Sequence, residues 1–399
     1  MPPRSYRCHL AIFAFWLMSY AVTMEREFGS DKDFPKFRLT HQGEEEKNLV
    51  LVKTHKTGTN TLLNILLRFA EKRNLNVALP ESLSYLGWPQ TLEEMRKTSY
   101  RHLIADDVTP ESKTFHVLGH HAIYNRSAMS TMVPNAKFLT IFRDPVSHFL
   151  SCYNYAFIER KTNMTAQEFA ELTLEGMHVQ MQKWPKFARM LCHNGQSFDL
   201  GLGRNPQTPN IRSLIADISS NFVQVLITDM FDETLLLLAR ALGITELEDL
   251  VYVPLNVRRY NATLSLAARA RIRKLNANDT LLYEHFKRDA EKRVQREGTS
   301  FQESLRDFRE LMEAKTAQCK AIRTSWRKQN RGVSFQQTCS LCLPKSVERE
   351  CALMWKGETY FTAELINLQS CRNIGWRCDD EAYVRHNCSS LLPPAGETL

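Results

Sequence analysis

Two short stretches carry residues whose types and spacing could grip an anion, and a third could move a proton. The first is KTHKTGTNT, residues 53 to 61, in which a strand-like run, Leu49 to Val52, enters a polar turn and an amphipathic helix leaves it. Such a turn points backbone N–H groups into the space before the helix, and the helix start adds partial positive charge. Lys56 supplies a full charge, while Thr57, Thr59 and Thr61 can donate hydroxyl hydrogen bonds. G-x-x-x-x-G-K-[ST] is absent, because the glycine, Gly58, follows the lysine, and G-x-G-x-x-G is absent too. The second stretch is FRDPVSHFLSCYNY, residues 142 to 155: Arg143 ends a strand, Pro145 opens a helix, and Ser151 lies about two turns in. A guanidinium with a hydroxyl in reach can clamp a phosphate. The third, GHHA, sets His120 and His121 at the end of another strand, with His55, His102 and His116 as lesser candidates for a general base. Neighbours on a strand face opposite ways, so one of the pair is structural.

The elements that must position these groups alternate. NLVLVKTH, TFHVLGHHA, AKFLTIFRD (136 to 144) and NFVQVLITD (221 to 229) read as strands; TNTLLNILLRFAEKR and DETLLLLARALG read as helices, the latter closed by Gly243. Strands separated by helices predict an α/β fold, a central, mostly parallel sheet flanked by helices, which binds ligands at the carboxyl ends of its strands. Beyond about 250 the pattern is helical and highly charged, and it leads into a cysteine-rich C-terminal extension.

The 399 residues are 43% apolar and carry a net charge of +8, with Lys and Arg scattered among Asp and Glu. That fits a basic pocket better than a nucleic-acid face, so no nucleic-acid partner is expected. Arg4 and Arg7 precede the uncharged run Leu10 to Met24, which reads as an uncleaved signal anchor with the rest of the chain in the lumen; cleavage near Ser19 and Ala21 is the alternative. The domain reading is a cytoplasmic tail 1–9, a transmembrane helix 10–24, a stem 25–47, a catalytic domain 48–300 and an extension 301–399. Five N-x-[ST] sequons, at Asn125, Asn163, Asn261, Asn278 and Asn387, fit a secretory compartment. Cys319, Cys339, Cys342, Cys351, Cys371, Cys378 and Cys388 read as a disulfide framework, with one thiol left over or paired with Cys192. Half a zinc site at Cys339 and Cys342 is the other reading, but no second half follows at suitable spacing.

A K-[ST]-G-T-type loop and a later R-x-P-x(5)-S resemble the two halves of the 3′-phosphoadenosine 5′-phosphosulfate (PAPS) site of sulfotransferases. Further, LVKTHKTGTNTLLNIL, HHAIYN, RDPVSHFLSCYNY, FDLGL, MFDETLLLLARALG, VPLNVR and KLNANDTLLYEHF occur in the order seen in the galactose-3-O-sulfotransferase family. The resemblance runs from about 47 to 300. Two departures are Gly58-Thr59-Asn60, where members often carry Ala and Ser, and Asp144, where Asn is expected. It implies a P-loop-like sulfotransferase fold and transfer of sulfate from PAPS to the 3-hydroxyl of a terminal galactose, without a metal. Galactosylceramide is the first expected acceptor and galactose on glycoprotein N- or O-glycans the second; more distant readings are a nucleotide-dependent kinase or a non-catalytic membrane glycoprotein. It also implies a single-pass type II protein of the Golgi membrane; oligomeric state is left open. Lys56, Thr57, Gly58, Thr59, Asn60 and Thr61 would surround the 5′-phosphosulfate, Arg143 and Ser151 the 3′-phosphate, and His121, in preference to His120, would be the base. Asp199, in a glycine-bearing loop, would meet galactose hydroxyls, with Trp88 and Trp184 as stacking candidates and Arg258 and Arg259 as minor phosphate contacts.

Overall fold

The computed structural model describes residues 44–81, 83–92, 115–204, 208–255, 264–329, 335, 340, 343 and 346–373. The anchor 10–24, most of the stem, His102, Arg258, Arg259, Asn261, Asn387, Cys339, Cys342, Cys378 and Cys388 lie outside the described residues, as does the side chain of Cys371. No helix among the described residues is long and apolar enough to cross a membrane.

The described strands form one five-stranded sheet in the order β2-β3-β1-β4-β5, with every pairing parallel. They are β1 (Leu49–Leu51), β2 (Val77–Ala78), β3 (Val117–Leu118), β4 (Lys137–Phe142) and β5 (Phe222–Ile227). The strand β2 lies in LNVALP, too short a run to register as a period. Side chains alternate between two covered faces: Leu49, Leu51, Leu139, Ile141 and Leu226 enter one apolar cluster, and Val50, Val52, Phe138, Phe142, Val225 and Ile227 another. The chain passes from β1 to β2 and β3 on one side, then crosses to β4 and β5 on the other. That places a switch of direction at the carboxyl end of β1, where a ligand crevice opens in such sheets.

Helix α1 (Thr59–Lys72) leaves the β1 loop with eleven of its fourteen residues buried, which fixes its axis against the sheet. Gly119, just past β3, is required by this packing, because a Cβ there would stand 2.7 Å from Leu63 Cδ1. Helix α2 (Pro145–Tyr155) starts as the sequence suggests, with Pro145 in its first turn and Asp144 as N-cap. Asp144, the departure noted above, accepts from Ser147 N at 2.9 Å and pairs with Arg273 at 2.6 Å.

The stretch between β4 and β5 differs from simple alternation. It holds a run of short helices, among them α3 (Lys186–Cys192) and α4 (Gly195–Asp199), packed around Phe149, Tyr153, Phe169 and Trp184. Trp184 is thus a core residue and not a sugar platform. Cys152 on α2 is bonded to Cys192 on α3, so Cys192 pairs within this unit and not with the tail. With a sequence separation of 40, the double variant Cys152→Ser/Cys192→Ser is expected to lose about 2–4 kcal/mol of stability. A denaturation midpoint equal to that of the parent would contradict this.

After β5, helix α5 (Phe231–Leu242) ends at Gly243 in the left-handed conformation. Helices α6 (Ala277–Arg296) and α7 (Gly298–Gln329) follow, then α8 (Ser346–Trp355) and α9 (Glu358–Asn373). The extension shares the central core: Phe301, Phe308, Cys351, Trp355, Phe361 and Leu365 lie in the cluster that includes β1 and α1. A second disulfide, Cys319–Cys351, ties α7 to α8. Asn64, buried in α1, donates to the carbonyls of Leu353 and Lys356 at the end of α8. Gln369 of α9 bonds both backbone groups of Val77, covering the edge strand.

Candidate active site

At the end of β1, four successive carbonyls of the loop each accept a hydrogen bond from a side chain. Thr57 and Thr59 hydroxyls donate to Thr54 O at 3.1 and 2.8 Å. His148 Nε2 donates to His55 O at 2.9 Å, Arg143 Nη1 to Lys56 O at 3.1 Å, and Thr228 Oγ1 to Thr57 O at 2.7 Å. A trans peptide sets each carbonyl opposite the next residue's N–H. The amides of Lys56, Thr57 and Gly58 are therefore directed away from these side chains, as a concave anion nest requires. Lys56 (φ 61) and Gly58 (φ 91) take the left-handed conformations that make the turn. Gly58 is also the N-cap of α1 and adds no side chain to the helix start.

The threonines do less directly than expected. Thr57 and Thr59 hydroxyls close the loop on itself, and Thr61 Oγ1 accepts from Leu255 N at 3.0 Å. The groups left to meet an anion are the backbone, the partly exposed Asn60 and Lys56, whose Nζ stands 4.0 Å above the Tyr155 ring. Arg143 is positioned by a double bond to Gln196, its N–H donating to Oε1 at 2.9 Å and its carbonyl accepting from Nε2 at 3.0 Å. Its guanidinium reaches the Lys56 carbonyl, so Arg143 lies against the loop that carries Lys56. Ser151 sits buried on α2, the helix that begins two residues after Arg143.

The proton-transfer groups form a cluster beside this loop. Asp199, at the end of α4, has no exposed surface; it accepts from His55 N at 2.6 Å, from His55 Nδ1 at 2.9 and 3.1 Å, and from Trp88 Nε1 at 2.7 Å. This corrects the sugar-binding role given to Asp199: both oxygens are committed, and the residue orients His55. It also makes Trp88 a buried donor and not a stacking surface. Because a carboxylate only accepts, Nδ1 of His55 carries a hydrogen, which in the neutral ring leaves the lone pair on Nε2. That Nε2 is buried and has no hydrogen-bond partner.

His121 stacks on His55 with ring centres 3.8 Å apart and planes 15° apart. Burial, then the neighbouring His55 and Lys53, hold its pKa well below the ordinary histidine value, so it is neutral but a weak proton acceptor. His120 turns the other way, its Nε2 hydrogen-bonded with Thr362 Oγ1 of α9 at 2.8 Å, which commits it away from the crevice. His116 stands at the amino end of β3, remote from the crevice, and accepts from Asn76 N. Of the histidines named from the sequence, His55 therefore has the geometry of a base: an orienting carboxylate on one nitrogen and an unengaged second nitrogen. The sequence signal for it was present, as His55 directly precedes Lys56, but its partner Asp199 is 144 positions away. His148, Gln196 and Thr228 were missed for the same reason: single polar residues inside helices or at a strand end show their roles only through long-range contacts.

Burial also lowers His120 to about 3, helped by the Lys53 charge, and His148 to about 4, with Arg143 adding to the effect. Their folded-state pKa values lie below the unfolded value near 6.5, so their stability is present above that pH and is lost as pH falls toward 4 and 3. At pH 5 each loses about 2 kcal/mol. Asp279, pushed up to about 6 by burial, runs oppositely and returns about 1 kcal/mol over the same interval. The thermal midpoint is expected to fall between pH 7 and 5; an unchanged or higher midpoint at pH 5 would contradict the neutral buried histidines.

The family whose sequence model is described as Galactose-3-O-sulfotransferase matches residues 8–325. Among curated relatives, galactose-3-O-sulfotransferase 3 of Homo sapiens is 33% identical over 296 residues, 70% of this chain and 64% of the relative. Galactose-3-O-sulfotransferase 2 of Homo sapiens is 34% identical over 266 residues, 64% of this chain and 63% of the relative. Galactosylceramide sulfotransferase of Homo sapiens is 31% identical over 248 residues, 60% and 56% respectively. The matched region thus spans less than two thirds of each of these relatives' own length. With a family match covering well over half of its residues, the chain belongs to the galactose-3-O-sulfotransferase family.

Proposed function

We propose that this protein transfers the sulfuryl group of PAPS to the 3-hydroxyl of a terminal galactose. The observation that carries the proposal is the junction at the end of β1: a cationic phosphate loop, Arg143 bonded to that loop, and the Asp199–His55 pair next to it. PAPS, when bound, supplies an activated sulfuryl group on a phosphate leaving group. Lys56 and the loop amides would hold the 5′-phosphosulfate, and Lys56 would stabilise charge gathering on the departing oxygen. Arg143 and Ser151 would hold the 3′-phosphate. His55 Nε2 would take the proton of the attacking hydroxyl, while Asp199 keeps the ring in the required tautomer and stabilises the imidazolium that forms.

The relatives' names cover both a galactosylceramide enzyme and galactose enzymes without a stated lipid, at 31% and 33–34% identity, a difference too small to choose the aglycone. Galactosylceramide and a lactose-type oligosaccharide are therefore the two acceptors to compare. We also propose a lumenal Golgi placement behind a signal anchor at 10–24, which the Cys152–Cys192 and Cys319–Cys351 disulfides support, since such bonds persist in oxidising compartments.

Purified full-length chain in detergent, given radiolabelled PAPS and each acceptor, is expected to yield 3-O-sulfated galactose on at least one. No product on either, from protein that binds adenosine 3′,5′-bisphosphate, would overturn the reading.

A further inference from the structure

Behind the two histidines lies a charged pair that the reaction above does not use. Lys53, one residue past Val52, is only 1% exposed, and its Nζ is 2.6 Å from Glu358 Oε2. Glu358 opens α9 and lies beyond the residues matched by the family's sequence model. Its other oxygen, Oε1, is buried without a hydrogen-bond partner, and so are His55 Nε2 and His121 Nδ1. Native interiors leave few such atoms unpaired, and several around one cluster mark a place where another molecule's polar groups complete the network.

Tyr85 closes the same space. It lies in a segment bridged alongside His121, with Leu86 N donating to His121 O at 2.8 Å. Its ring stacks toward His121 at 5.3 Å and His55 at 6.4 Å, and it remains partly exposed. Burial, then the nearby Tyr155 and Glu358, raise its phenol pKa. A partly exposed aromatic face beside an unfilled carboxylate oxygen and an ammonium group is the complement of a pyranose: apolar C–H face on one side, hydroxyls on the edge.

We propose that Glu358, with Lys53 and Tyr85, forms the acceptor-sugar subsite, in which Glu358 Oε1 accepts a hydrogen bond from a hydroxyl adjacent to the one sulfated. The inference rests on the galactose-sulfation reading and adds that the C-terminal extension supplies a substrate contact. Tyr85 carries the C–H face of the sugar, and the reacting hydroxyl faces His55 Nε2.

The test compares sulfate transfer from PAPS to a simple β-galactoside and to its 2-deoxy and 4-deoxy analogues, using full-length wild type, Glu358→Gln and Tyr85→Ala. Wild type is expected to lose about 10²-fold or more in kcat/KM on one of the two deoxy analogues, because the carboxylate is left unpaired. Glu358→Gln is expected to lose a similar factor on the parent sugar, mainly in KM, and to discriminate weakly against that analogue. Adenosine 3′,5′-bisphosphate should bind to it as to wild type. Tyr85→Ala leaves the ion pair in place, so it should fold even if Glu358→Gln does not, and its KM should rise roughly tenfold with kcat little changed. Wild type that handles both deoxy analogues like the parent overturns the subsite, as does unchanged KM in Tyr85→Ala. So does Glu358→Gln losing nucleotide binding in step with transfer, which would show a structural role only. Wild type that binds the nucleotide but sulfates no galactoside sinks the parent reading, and the subsite with it.

Discussion

His55→Ala is expected to lower kcat by about 10²–10⁴-fold, the usual worth of a positioned general base, while adenosine 3′,5′-bisphosphate binds with unchanged affinity. A sugar hydroxyl does not lose its proton unaided at neutral pH, so the step needs an acceptor with a free lone pair at the hydroxyl. In the proposed mechanism His55 Nε2 is that acceptor, because Asp199 Oδ2 lies 2.9 Å from Nδ1 and engages that nitrogen. Asp199→Asn tests the same logic from the other end. An amide nitrogen can donate to Nδ1 and turn the ring to the wrong tautomer, an exchange that costs about 10⁴-fold in a Ser-His-Asp hydrolase. His121→Ala should cost less, since that ring packs against His55 and its burial makes it a poor base. If His121→Ala abolished transfer while His55→Ala left it intact, the assignment of the base would be reversed.

Lys56→Ala is expected to lower kcat by about 10²–10³-fold, as loss of one preorganised donor to developing charge typically does. The carbonyls of residues 54 to 57 are tied down by Thr57, Thr59, His148, Arg143 and Thr228, so the loop itself should persist without the lysine. Binding of the desulfated nucleotide should weaken less than kcat falls, because the charge that Lys56 offsets grows as the sulfuryl group leaves. An effect confined to KM would instead mean that Lys56 binds ground state and transition state equally.

The parts of this site that sit next to each other in sequence were legible there. Lys56, Gly58, Arg143 and Pro145 each mark a strand end or a helix start, and the structure puts them at one switch of the sheet. The alternation rule also foretold that His120 and His121 would part company. What the sequence hid were partnerships across long separations. Asp199 reads as a loop residue near a sugar because its neighbours are glycines, yet it is buried by residues 55 and 88. Thr57 and Thr59 look like ligands and are fasteners, because a hydroxyl's direction depends on the backbone turn and not on its spacing. Glu358 has no motif around it, and its pairing with Lys53 exists only because α8 and α9 fold back onto α1.

The whole assignment depends on Lys56 and Arg143 holding two phosphates of one nucleotide. Titration calorimetry with adenosine 3′,5′-bisphosphate and with adenosine 5′-phosphate, on wild type and Arg143→Ala, measures this through a ratio of affinities. In wild type the bisphosphate should bind far more tightly than the monophosphate, and in Arg143→Ala that preference should collapse. An equal preference in both proteins would mean that Arg143 does not read the 3′-phosphate and that the donor site lies elsewhere.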